Sequence, residues 1–138
     1  MMKKYNLIFK GYWRDCNQEN VLEVSGVYLV YRCVYNADSK TVRLVELMYI
    51  GQADNVRMRI ANHDKYDLFL SECEANETLC YSVAEVAKSD LNIVENALIY
   101  AQKPRLNGTN KDNYNYDAAE FHLEGRCKLM KHLNFKIE

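Results

Sequence analysis

The sequence predicts an α+β domain: a central, mostly antiparallel β-sheet, begun by an N-terminal hairpin and a third strand, flanked by helices and lengthened by short extra terminal strands. Three observations predict it. Val27 to Tyr35 and Thr41 to Ile50 are rich in Val, Ile, Leu and Tyr, and the turn-forming Asn36-Ala37-Asp38-Ser39 lies between them. Leu79 to Val86 has the same β-branched and aromatic content. From Ser89 to Gln102 the spacing becomes helical, with Leu91, Val94, Leu98, Ile99 and Ala101 on one apolar arc.

Taken in order, Lys4 to Trp13 alternates Tyr5, Leu7 and Phe9 with more polar neighbours, as a short half-buried strand requires. Arg14 to Asn20 reads as a loop, and Trp13, the single tryptophan, as core. In the hairpin, a loop centred on Asp38-Ser39 places Tyr28 opposite Tyr49, with both phenols on one face. After Gly51, Asp54 serves as N-cap of a helix that buries Val56 and Ile60. Arg59 and His63, four residues apart, flank the same side of that face, whereas Arg57 points away. Two phenols, a guanidinium and an imidazole thus converge on one surface.

Asp67 to Glu77 is acidic and holds a short second helix. The third helix takes Ser89 as its N-cap and ends before Pro104. Glu95 sits inside its apolar arc, where an unpaired charge would cost several kcal/mol, so a metal ion, an arginine or a hydrogen-bond network is required. Position alone leaves a structural ion pair equally open. A polar loop follows from Gly108 to Asn113, then a late strand around Gly125 and another at Phe135 and Ile137.

With 138 residues, about half of them apolar, the chain is expected to form a single domain, 1–138, with a real core. Leu7-Ile8-Phe9 is too short for a signal-peptide core or a membrane span, so no membrane partner and a cytoplasmic location are expected. Five cysteines without a CxxC pair argue against a disulfide framework or a structural zinc site and are read as reduced and mostly buried. The net charge of −1 does not by itself mark a nucleic-acid binder, but the charge is uneven. Residues 64–77 hold Asp64, Asp67, Glu72, Glu74 and Glu77 against Lys65, whereas residues 126–138 hold Arg126, Lys128, Lys131 and Lys136 against Glu138. A neutral sum can hide a basic face.

Gly26-Val27-Tyr28 and Tyr49-Ile50-Gly51 resemble the two defining tripeptides of the GIY-YIG nuclease family. The resemblance continues through Arg59, ten residues beyond the second tyrosine, then His63, Glu95 in a helix, and Asn107 after Lys103-Pro104. It implies a GIY-YIG-like core over about residues 25–107, with terminal extensions 1–24 and 108–138. It also implies a metal-dependent endonuclease that hydrolyses phosphodiester bonds in nucleic acid, with DNA the expected substrate and one divalent cation, Mg²⁺ or Mn²⁺, as cofactor. By carry-over the site comprises Tyr28 as general base on water, Tyr49 hydrogen-bonding within the site, Arg59 on the scissile phosphate, His63, Glu95 as metal ligand, and Asn107 in support.

Alone, each residue has a plainer reading: packed tyrosines, Arg59 paired with an acid such as Asp64, a capping histidine, and an asparagine that braces a turn. Gln52 departs from the family, many of whose members carry a lysine there. No Walker loop, HExxH or GxSxG competes. Two other classes stay open: a nucleic-acid-binding module that has lost cleavage, and a small protein-interaction module. The near-zero charge and the short termini predict weak, unselective binding, through a surface of Arg57, Lys103 and Arg105 with the acidic stretch turned away. A partner protein or an unusual substrate shape is then left to supply targeting.

Overall fold

Strand β1 (Lys3–Arg14) runs through the middle of a single six-stranded sheet. The computed structural model describes residues 2–138. The other strands are β2 (Gly26–Asn36), β3 (Thr41–Ala53), β4 (Glu77–Glu85), β5 (Ala119–Gly125) and β6 (Asn134–Ile137), and the spatial order is β3-β2-β4-β1-β5-β6. Among the described residues only β1 and β5 pair in parallel, with Lys3 beside Ala119 and Phe9 beside Gly125. Three helices accompany the sheet: α1 (Val56–Ala61), α2 (Tyr66–Glu72) and α3 (Leu91–Gln102), with 3₁₀ turns at Asp15–Asn20 and Lys88–Asp90.

This arrangement corrects the expected fold class. The sheet is a mixed, curled half-barrel with 41% of the chain in strands and 25% in helices, and it is not a clear GIY-YIG arrangement. The reason lies in β1. Its alternation buries Tyr5, Leu7 and Phe9 as expected, but alternation reports a strand without naming its partners. Those partners, β4 and β5, are distant in sequence, so a segment read as a short terminal strand becomes the centre of the sheet.

Each sheet face has its own core. Val27, Leu29, Tyr31, Phe9, Phe121 and Leu123 pack beneath the apolar arc of α3. On the opposite face Tyr28, Val30, Tyr81 and Val83 pack with Val56 and Ile60 of α1, Phe69 of α2 and, at the margin, Trp13. The two faces follow the strand period of two, odd residues of β2 to one core and even residues to the other.

Smaller expectations also change. The cap of α1 is Asn55 rather than Asp54, its Oδ1 accepting from the Met58 N–H at 3.2 Å. The side chain of Ser89 does not cap α3, because Lys88–Asp90 forms a 3₁₀ turn leading into it. The cysteines are not all reduced: Cys33 and Cys80 form a disulfide between β2 and β4, Cys16 is exposed, and only Cys127 of the free thiols is buried. Among the described residues no helix is long and apolar enough to cross a membrane.

Candidate active site

The hairpin delivers both tyrosines to one place, by a route the simple register did not contain. Near the turn, Asn36 pairs with Thr41 and Cys33 with Leu44, as a loop centred on Asp38-Ser39 requires. Two irregularities then intervene, between Arg32 and Cys33 and between Val30 and Tyr31, so Tyr49 faces Val30 and Tyr28 faces Gly51. Two single-residue slips restore the original face. The phenols therefore remain neighbours, on the diagonal, with ring centroids 6.4 Å apart.

Gly51 is a close-approach position. A Cβ built there would run into Cζ and Oη of Tyr28, so the phenol lies directly over the glycine backbone. Tyr28 is 1% exposed, while Tyr49 is half-buried.

His63 reaches these rings from beyond α1, which ends at Ala61, rather than from the helix itself. The chain turns at Asn62 and buries the imidazole among Tyr28, Tyr49 and Phe69, with centroid distances of 5.7, 5.7 and 5.0 Å. The Lys65 backbone N–H donates to Nδ1 at 3.0 Å. That leaves the proton of the neutral ring on Nε2, which donates to Tyr28 Oη at 2.7 Å. Burial, aided by the Arg59 charge, pushes the His63 pKa down to about 4, so the ring is neutral through the physiological range.

Arg59, at the end of α1, donates to Asp64 at 2.7 Å and lies close enough to Tyr28 to favour its phenolate. Burial outweighs this and pushes the Tyr28 phenol well above its ordinary range. Burial and then the Glu95 charge push Tyr49 up as well. Arg57 points away as expected, toward the Val21 carbonyl and Glu23.

Glu95 comes from α3, on the other side of the β3 edge. Its Oε1 accepts from Gln52 Nε2 at 3.1 Å, and the same amide nitrogen donates to Asn92 at 2.6 Å. Burial pushes the Glu95 carboxyl up, and the Gln52 hydrogen bond draws part of that back. Its charge acts on both Tyr28 and Tyr49, which places the carboxylate within electrostatic reach of the phenols without a direct bond to either.

Asn107 holds the site from the outside. Its Oδ1 accepts from the Ile50 N–H at 3.0 Å and its Nδ2 donates to the Ile50 carbonyl at 2.9 Å, so one amide closes both backbone groups of the residue between Tyr49 and Gly51.

Mg²⁺ or Mn²⁺ keeps several waters and needs few protein carboxylates. Among the described residues no group of three or more His, Cys, Asp or Glu is placed to hold an ion. The fit therefore rests on Glu95, whose Oε2 accepts no hydrogen bond from the described residues. A half-buried carboxylate with one free oxygen suits an ion completed by water and substrate.

Sequence reasoning did not foresee Gln52 as the partner of Glu95, Phe69 as a wall of the histidine pocket, or Lys65 as the group that fixes the tautomer. Only Gln52 carried a signal, as the polar residue directly after the second glycine. The surface expected to attract nucleic acid is also corrected: Arg105 is held by Glu46 and Glu72, Arg57 by Glu23, and the acidic stretch is not turned away, since Asp64 occupies Arg59. No protein-family model, curated protein or solved structure matches this chain.

Proposed function

We propose that the chain is a metal-assisted endonuclease acting on nucleic acid, DNA first, whose site residues resemble those of the GIY-YIG nucleases although its sheet does not. One observation carries the reading: Tyr28, Tyr49, His63 and Arg59 lie against one another with the Glu95 carboxylate in electrostatic reach. Arg59 would exchange the exposed Asp64 for a phosphate, a swap of low cost because solvent-exposed ion pairs contribute at most about 1 kcal/mol. The planar guanidinium then stabilises the charge that develops on the phosphate oxygens. Tyr28, as base, must shed its proton. His63 Nε2–H and Arg59 both stabilise the resulting phenolate, against the burial that opposes it. A divalent cation held by Glu95 would supply charge neutralisation and stabilise the leaving oxygen. Cytoplasmic residence and a targeting partner protein belong to the same proposal, and the Cys33–Cys80 bond weighs against the former, since disulfides persist mainly in oxidising compartments.

The test is cleavage of single-stranded, duplex and branched nucleic acid with and without Mg²⁺. Arg59→Ala is expected to lower the rate by about 10²–10³-fold, and Glu95→Gln to remove the metal-dependent activity. In the wild type, log rate should climb with pH through the neutral range without levelling near 7, because the raised phenol ionises only at alkaline pH. Full activity in Glu95→Gln would reassign the metal ligand, and no cleavage of any substrate would end the enzyme reading. A binding module without cleavage is the second reading, favoured by Arg59 already being paired with Asp64 and Glu95 accepting from Gln52 within the chain.

A further inference from the structure

At the far end of β2 from the candidate site, a concave cleft of about 440 Å³ is lined by Arg14, Lys40, Arg126 and Lys128 around the rings of Tyr12 and Tyr35, and no carboxylate lines it. None of the four cations enters an ion pair among the described residues. Of the five arginines outside the cleft, Arg32, Arg57, Arg59 and Arg105 are each matched to an acid, whereas Arg14 and Arg126 stand together inside it without one. Four like charges left together without a counter-charge repel one another, so the arrangement favours an anion that is not part of the chain.

The cleft is built rather than incidental. Arg14 lies over the Tyr35 ring at 3.5 Å, which fixes its guanidinium plane. The segment carrying Arg126 and Lys128 is pinned by its backbone: Tyr31 Oη donates to the Lys128 carbonyl at 2.8 Å, the Lys128 N–H donates to Tyr12 Oη at 3.0 Å, and the Arg126 N–H donates to the Phe9 carbonyl at 2.8 Å. The side chains of Arg126 and Lys128 are thereby free to face outward. Because the whole chain has a net charge of −1, the residues outside these four cations sum to a net negative charge, which favours approach of a polyanion at the cleft.

The geometry points to this cleft as a phosphate-backbone docking site for nucleic acid, separate from the site of chemistry. Tyr28 and Tyr35 are seven residues apart on β2, about 23 Å at roughly 3.3 Å per residue, and they face opposite sides of the sheet. Two guanidinium groups and two ammonium groups match a string of phosphate oxygens, forks for bidentate contact and points for single ones. Aromatic rings among cations suit an unpaired strand, on whose bases they can stack. The identity of the polyanion rests on the proposed nuclease reading; the anion site itself does not.

Binding of a fluorescent duplex and a fluorescent single strand, each of about 20 nucleotides per strand, measured by anisotropy across a salt series, tests both separately. The Arg126→Ala/Lys128→Ala variant is expected to bind about tenfold or more weakly, with the log affinity against log salt slope on duplex shallower by about 1.8, at about 0.9 per lost phosphate contact. Both side chains are exposed, and unchanged thermal unfolding of the variant checks the fold. Lys88→Ala, at an exposed cation outside the cleft, should keep most of the affinity. Equal affinity and slope in the double variant would overturn the docking site, as would no binding of nucleic acid by the wild type, or tighter binding of anionic lipid vesicles or polyglutamate at the same salt. Intact cleft-dependent binding with no cleavage of any substrate would instead overturn the nuclease reading alone.

Discussion

His63 shows how a single residue is tuned by its shell. A backbone N–H on one nitrogen, a phenol on the other and three aromatic rings around it leave no room for a second proton. In the unfolded chain the ring titrates near its ordinary 6.5, whereas in the fold it resists protonation down to about 4. Below pH 6.5 the unfolded state therefore binds a proton that the native state refuses, and stability falls as the pH drops from about 6.5 to 4. The loss is on the order of 3 kcal/mol from this residue. Urea unfolding of the wild type and His63→Gln across that range measures it: the variant should lack the slope, and parallel curves would show that the imidazole is not held neutral. The convergence of His63 on the two tyrosines was legible in its spacing from Arg59, but its environment was not. A helical wheel placed it on α1, and the end of the helix at Asn62 that turns it inward has no local signal strong enough to read.

At the scale of the element, the hairpin and its clamp decide whether the two tyrosines stay together. The strands, the turn and the shared face of Tyr28 and Tyr49 were readable from composition and period. The two slips in register were not, because no glycine or proline marks them in Arg32-Cys33, Val30-Tyr31 or the facing stretch of β3. The clamp was readable only as an asparagine after Lys103-Pro104. Its role follows from topology, since β3 is an edge strand and the outward N–H and C=O of Ile50 would otherwise lack partners. Asn107→Ala leaves both groups unpaired and is expected to cost about 2–4 kcal/mol. Chemical denaturation checks it, and a loss below about 0.5 kcal/mol would show that water replaces the amide without penalty. Asn107→Asp should fall between, keeping the acceptor for the N–H and losing the donor for the carbonyl.

For the whole molecule, the chief surprise is that both ends of the chain complete the sheet. Tyr5, Leu7 and Phe9 announced a strand, and Phe121, Leu123, Phe135 and Ile137 announced others, but nothing in their spacing says that β1 lies between β4 and β5. The pairing of β2 with β4, likewise distant in sequence, brings Cys33 to Cys80, a bond that an odd set of cysteines without a CxxC motif concealed. This bond closes a loop with a sequence separation of 47, for which chain entropy predicts a stabilisation of about 4 kcal/mol. Reductant should lower the urea midpoint accordingly, and an unchanged midpoint with both thiols shown free would mean that packing alone holds β2 to β4. The amide of Asn107 has one more consequence, outside the economy of a single folded chain. By imitating a peptide group along the free margin of β3, it occupies the place where the strand of another molecule would add on. Concentrated solutions of Asn107→Ala are therefore expected to cloud and bind amyloid dyes sooner than wild type at equal fraction folded, because what holds Ile50 in register also keeps neighbouring molecules apart.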